Sequence, residues 1–263
     1  MSRPETPGEI LSTIRKIRFE EGRGSSLPPV KSFNRTRPLN EKLIESLTES
    51  PTDISEFTSR SPVDCEAATT GDALRAMFAP DEKTLLFVDE RSQGQLVWHH
   101  GVPDAAIESL AQKNTKGAWF LINPVTGQFK KLERLGDRQS RRSEENMTCY
   151  RHILIESDAI GLNSWLSILK TLPFPIVSVT LSGNESAHAL VRVNCKTRAQ
   201  WISAAETIAD TVVPLGACPG ALTAVRLSRL PKVLRADTQQ EQKLIWLNPN
   251  PSTTPIQSFS KTR

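Results

Sequence analysis

The stretch RHILIESDAIGLNSWLSILKTLPFPIVSVTLSGNESAHALVRVN, residues 151–194, decides the fold. Apolar residues alternate from Arg151 to Ser157, which predicts a strand. A helix follows from Gly161 to Thr171, with Leu162, Trp165, Leu166 and Leu169 on one face. Ile176–Leu181 and Ala187–Asn194 read as two more strands, separated by the turn Ser182-Gly183-Asn184. Downstream, Thr197 to about Thr211 reads as a helix with Trp201, Ala205, Ile208 and Val212 on one stripe. After an irregular basic stretch, Lys243–Leu247 makes a last strand. The order is β-α-β-β-α-β, which predicts an α+β protein with a split βαβ, RRM-like core over 150–249.

Outward from this core, residues 128–149 form a basic connection. Six cations (Lys130, Lys131, Arg134, Arg138, Arg141 and Arg142) fall within thirteen positions. Such a run reads as a solvated loop or as a contact to a phosphate backbone. Residues 63–127 read as a small mixed α/β half. Gly71-Asp72 caps a short helix, and Thr84–Val88, Gln95–His99 and Ala118–Ile122 are strands. Pro103–Lys113 is an amphipathic helix, and Asn123-Pro124 makes a turn. Residues 1–62, broken by prolines, read as a flexible arm with short helices at Glu9–Glu20 and Leu39–Leu47, the latter capped by Asn40. A partner-binding or DNA-tracking arm is the alternative. The Pro/Ser/Thr-rich tail, 250–263, reads as disordered.

Composition narrows the classes. At 263 residues and 38% hydrophobic, the chain can bury a sizeable core but carries tails as well. A net charge of +4 permits a polyanionic partner without requiring one. No apolar run approaches a membrane span, and the start MSRPETPGEI lacks the apolar core of a secretion signal. Cys65, Cys149, Cys195 and Cys218 are scattered, which supports neither a zinc ribbon nor a disulfide framework. A soluble, cytoplasmic protein is the expectation.

Alternation splits each core strand into two sets. Ile153 and Ile155, then Val177, Val179 and Leu181, then Ala189, Val191 and Val193 would pack beneath the two helices. The other set would line an open face, gathering Glu156, Asp158, Ser182, His188, Arg192 and Asn194. Two carboxylates at i and i+2 repel when both are ionised, and a divalent cation such as Mg²⁺ or Mn²⁺ relieves this. Held there, it would neutralise phosphate charge and activate a 3′-hydroxyl. Ordinary acids at a solvated strand end are the plain alternative. His188 reads as a structural histidine or as a ligand for a triphosphate oxygen.

These residues resemble the archaeo-eukaryotic primase superfamily, the primase-polymerase proteins of replication initiators, plasmids and phages. The resemblance rests on Ile153-Leu154-Ile155-Glu156-Ser157-Asp158, on Ser182 to His188, and on Arg226-Leu227-Ser228-Arg229-Leu230-Pro231. Gly117-Ala118-Trp119-Phe120 and Ile122-Asn123-Pro124 extend it to about 117–250. It implies a metal-dependent nucleotidyltransferase that makes or extends primers on single-stranded DNA from nucleoside triphosphates. By that resemblance Glu156 and Asp158 hold Mg²⁺ or Mn²⁺, and His188 contacts the incoming nucleotide with Ser182 beside it. Arg226 and Arg229 take triphosphate or template phosphate, while Arg138, Arg141, Arg142 and Arg192 are candidates for DNA contacts.

The pattern also calls for a third downstream acid. Asn194 and Cys218 stand at the obvious positions, and neither is a carboxylate; Asp210 and Asp237 would need another geometry. A primase-fold DNA-binding subunit of a replication initiation complex, without catalysis, is therefore the second reading. An RRM-type RNA binder is the third, disfavoured because the derived open face lacks stacking aromatics. No Walker A loop occurs, so any replicative helicase would be a separate chain.

Overall fold

The computed structural model describes residues 37–111, 115–132, 138–183 and 186–252. In chain order they form α1 (Glu41–Thr48), α2 (Ile54–Ser59), α3 (Thr70–Met77), β1 (Thr84–Val88), β2 (Leu96–Trp98), α4 (Asp104–Ala111) and β3 (Ala118–Leu121). The hairpin β4 (Lys130–Leu132) and β5 (Arg138–Ser140) follows, then β6 (Tyr150–Ile155), α5 (Leu162–Thr171), β7 (Ile176–Leu181) and β8 (Ala187–Cys195). The chain closes with α6 (Arg198–Val212), β9 (Leu227–Arg229) and β10 (Leu244–Leu247). The expected helix Glu9–Glu20, the cation Arg134, the turn residues Asn184 and Glu185, and the tail from Thr253 lie outside the described residues.

The strands build a first antiparallel sheet, β2-β1-β3-β9, and a second, β10-β7-β8-β6. The second carries the β-α-β-β-α-β sequence of elements. β6 and β7 run parallel with β8 between them, and β8 and β10 run parallel with β7 between them. Two split βαβ units are thus present. An RRM-like sheet would place the last strand beside the first, however, and here β10 lies beside β7. The cause is the segment after α6, expected to be irregular. It leaves the second sheet, pairs as β9 with β3 of the first, and returns on the far side. Two buried amides hold this detour. Asn123 accepts from the His152 amide at 2.8 Å and donates to the Ala224 carbonyl at 2.9 Å. Gln242 donates to the carbonyls of Ala118 and Leu230 at 2.8 and 2.6 Å.

Helical periodicity places Trp165, Leu166 and Leu169 of α5 and Trp201, Ala205, Ile208 and Val212 of α6 in one core with Ile153, Ile155, Val179, Ala189 and Val191. Each large side chain buried there contributes about 2–3 kcal/mol. Val177 was expected in this set but faces the other way. A bulge between Ile176 and Ser178 turns it over, so Ile176 takes its place.

The face expected to be open is covered. Leu154, Val177, Leu190 and Leu244 pack with Leu74, Met77, Phe120 and Ile122 from α3, β3 and the turn after it. Apolar side chains on both faces require cover on both, and that excludes RNA stacking there. Glu156 and His188 lie at one end of this sheet, both buried.

Part of the expected flexible arm is also structured. Asn40 caps α1, accepting from the Leu43 amide at 3.2 Å. Ile44, Leu47 and Ile54 pack against the α5–α6 core. The α3 cap is Thr69 rather than Gly71-Asp72: its hydroxyl accepts from the Asp72 amide, and the Asp72 carboxylate accepts from the Thr69 amide.

Candidate functional site

Glu156 follows β6 and is only 2% exposed. A carboxylate so placed requires compensating donors. One oxygen lies 2.9 Å from Nε2 of His188, and the other accepts from Nη2 of Arg226 at 2.6 Å. His188, 7% exposed, is the second residue of β8, paired with Thr180 of β7. Its Nδ1 lies 3.5 Å from the Ser228 hydroxyl. Arg226 precedes β9, and its side chain is one-quarter exposed. Three separated stretches of sequence thus converge on one carboxylate. The Glu156 carbonyl also accepts from the Cys218 amide at 2.8 Å.

The remaining predicted residues divide. Asp158 lies on the surface two residues past Glu156. Ser182 is buried in the turn after β7; its carbonyl accepts from Nη1 of Arg235 at 3.1 Å. Gly183 follows at φ +71°, and a Cβ there would stand 2.8 Å from Cδ of Arg235. This turn is therefore built around Arg235, a residue the sequence reading did not single out. Arg229 leaves the cluster. It sits 4.9 Å over the Trp119 ring, and its Nε and Nη1 find no acceptor. Burial, and after it the neighbouring Arg235, lower its pKa to about 10.

Arg192 and Asn194 lie four and six residues further along β8 than His188, about 13 and about 20 Å away at ~3.3 Å per residue. Arg192 donates to the Ala76 carbonyl at 2.7 Å, near the end of α3, where a cation is favoured. Asn194 accepts from Arg151 at 2.7 Å. Asp210 pairs with Arg37 at 2.6 Å and Asp237 with Arg235 at 2.7 Å, so neither supplies a third acid beside Glu156.

The basic connection is a hairpin rather than a solvated loop. Arg138 is exposed on β5. Arg141 donates to the carbonyls of Gln93 and Gly94. Arg142 donates to the Val225 carbonyl at 3.2 and 3.0 Å and lies 5.9 Å over Phe87. Burial, followed by the charges of Arg226 and Arg91, brings its pKa down to about 10. Ser228 was quoted within a motif without a role. Strand alternation is the signal that finds it, since Arg226 and Ser228 face Glu156 and His188 while Leu227 and Arg229 face away.

The resemblance implies Mg²⁺ or Mn²⁺. Among the described residues, no three His, Cys, Asp or Glu side chains gather into a group able to cage an ion. Asp158 offers exposed hard oxygen, and Glu156 offers it only through the lone pairs that His188 and Arg226 leave. Mg²⁺ is commonly held by one or two carboxylates together with substrate phosphates, and a carboxylate has about four lone-pair sites. The residues fit an ion that arrives with a triphosphate, and they do not fit an ion caged by protein alone.

No family model matches the chain, and no curated protein matches it. Among solved structures it is similar to the AEP domain of the cyanophage S-2L primase-polymerase, with 14% identity over 68% of this chain and 89% of that one and a TM-score of 0.46. A likeness of that size fixes neither fold nor function. No helix among the described residues is long and apolar enough to cross a membrane.

Proposed function

We propose that the protein is a primase-polymerase-like nucleotidyltransferase that makes or extends primers on single-stranded DNA from nucleoside triphosphates. The observation that carries this reading is the buried Glu156 carboxylate, which fastens the His188 imidazole and the Arg226 guanidinium at one end of the second sheet. In the reaction a 3′-hydroxyl attacks the α-phosphorus, a P–O bond forms, the bond to the bridging oxygen breaks, and pyrophosphate leaves. Arg226 would receive the triphosphate oxygens, where charge-assisted hydrogen bonds are strongest, while both ring nitrogens of His188 face partners of the protein itself, Glu156 and Ser228. Glu156 orients both, and Ser228 restrains the imidazole through Nδ1. Mg²⁺ or Mn²⁺ entering with the triphosphate would be held by Glu156 and Asp158, neutralising phosphate charge and making the hydroxyl a better nucleophile.

The test is nucleotide incorporation on primed and unprimed single-stranded DNA, in Mg²⁺ and separately in Mn²⁺. Asp158 is exposed, so Asp158→Ala leaves the core intact; incorporation should fall at least about a hundredfold. Incorporation unaffected by that change, or absent with both metals, overturns the proposal.

One observation favours the second reading, a primase-fold DNA-binding subunit without catalysis. Cys218, which stands where a third acid is expected, donates its amide to the Glu156 carbonyl. DNA binding without incorporation in the same assay selects that reading.

A further inference from the structure

Both carboxylate oxygens of Glu156 are engaged within the protein. One lies 2.9 Å from Nε2 of His188 and the other 2.6 Å from Nη2 of Arg226, and the side chain is only 3% exposed. The two partners are not equally fixed. His188 is buried on β8, and its other ring nitrogen faces Ser228. Arg226 is fixed by its backbone: its amide donates to the Thr223 carbonyl at 3.1 Å, and its carbonyl accepts from the Ile122 amide at 3.2 Å. Its side chain is one-quarter exposed and gives Glu156 Nη2 alone; Nε and Nη1 have no partner among the described residues. A second cation stands beside it, since Arg142, fastened to the Val225 and Arg91 carbonyls, is repelled by Arg226. The guanidinium of Arg226 is thus the movable member of the cluster.

An anion with several oxygens competes well for such a group. A guanidinium takes phosphate through two parallel N–H···O bonds, and Arg226 spends one nitrogen on Glu156. Once Arg226 turns away, a buried carboxylate has lost its guanidinium and requires another positive charge. A divalent cation supplies that charge and takes the oxygen that Arg226 leaves, with Asp158 two residues on at the surface.

We propose that the Glu156–Arg226 ion pair is a latch, which withholds Glu156 from a divalent cation until a triphosphate draws Arg226 away. The latch rests on the proposed function only for the nature of the anion. Metal and triphosphate then bind in concert, each raising the affinity of the other by the same factor. A metal ion offered without nucleotide finds Glu156 shut.

The experiment is Mn²⁺ binding to the full chain, followed by electron paramagnetic resonance without nucleotide or DNA. Arg226→Gln removes the latch and should tighten Mn²⁺ binding about tenfold over wild type. Arg226→Met keeps the aliphatic stem, should give the same gain, and guards against an amide variant that unfolds. Adding Glu156→Gln to either should abolish the gain, which ties it to the carboxylate. Arg91→Gln removes an exposed positive charge near Arg142 without touching Glu156, and should leave Mn²⁺ affinity unchanged. In EDTA, a nucleoside triphosphate should bind Glu156→Gln about tenfold more tightly than wild type, because the guanidinium is then released. No Mn²⁺ gain in the Arg226 variants, an equal gain in Arg91→Gln, or triphosphate binding unaltered by Glu156→Gln overturns the latch. Incorporation separates the two claims. A chain that never incorporates nucleotide but shows both gains keeps the latch and loses the function, whereas incorporation without the gains keeps only the function.

Discussion

The second sheet ends twice in a buried carboxylate surrounded by cations, and the two ends differ in how they close. Near the start of β6, Glu82 accepts from the Ala79 amide at 2.8 Å, from the Cys149 thiol at 3.1 Å, and from Arg151. Arg151 in turn is met by Asn194. Burial and the hydrogen bond to Glu82 push the Cys149 thiol up to about 12, so it is inert. That end borders a cavity lined by Glu82, Cys149, Arg151 and Asn194. After β6, Glu156 instead joins the His188 imidazole and the Arg226 guanidinium, whose side chain is one-quarter exposed. A buried carboxylate alone therefore says little about function.

Substituting the two acids breaks the comparison most sharply. Glu82→Ala and Glu156→Ala should each cost about 3 kcal/mol in denaturant unfolding, since each strands a partly buried cation. Only Glu156→Ala should remove nucleotide incorporation. Equal loss of incorporation in both variants would return Glu156 to a structural role. Next in size, Gln242→Leu should cost about 2 kcal/mol, because it strands the Ala118 amide of β3 and the Leu230 carbonyl after β9; a smaller change in the unfolding midpoint would mean that strand pairing alone holds the detour.

His152, on β6 between the two ends, sharpens the comparison through pH. Burial, with the nearby Arg192 and Arg151, holds its pKa well below 6.5. The folded state keeps it neutral, and unfolding lets it take up a proton. Stability should therefore fall as pH drops below about 6.5, by up to about 1.4 kcal/mol per pH unit. His152→Gln should flatten that slope in urea titrations at successive pH values. The smallest effect is expected away from both ends: Thr69→Ala removes the α3 cap and should cost about 1 kcal/mol without altering DNA affinity.

The core elements were legible because their burial is periodic. Thr84–Val88 and Ile176–Leu181 form as read, and α5 and α6 bury the expected stripes. β9 was missed because three residues in a basic, proline-flanked stretch carry no period; pairing with β3 makes them a strand. Arg226 and Arg229 were grouped by type, yet three positions on a strand put them on opposite faces. Arg192 and Asn194 were assigned to the right face but not to the right end, since alternation specifies the side of a sheet and not the position along it.

By itself the sequence determined most helices and strands of the core and the two-faced pattern of β6 and β8. These follow from local periodicity and residue chemistry, which act over a few positions. Only the tertiary structure decided that the second face is covered, that β10 stands beside β7, and that Arg229 turns from Glu156 to Trp119. Those outcomes depend on which apolar surfaces meet and on where a detour of the chain is anchored. Such contacts join residues a hundred or more positions apart, as Gln242 joins Ala118, and no local pattern encodes them.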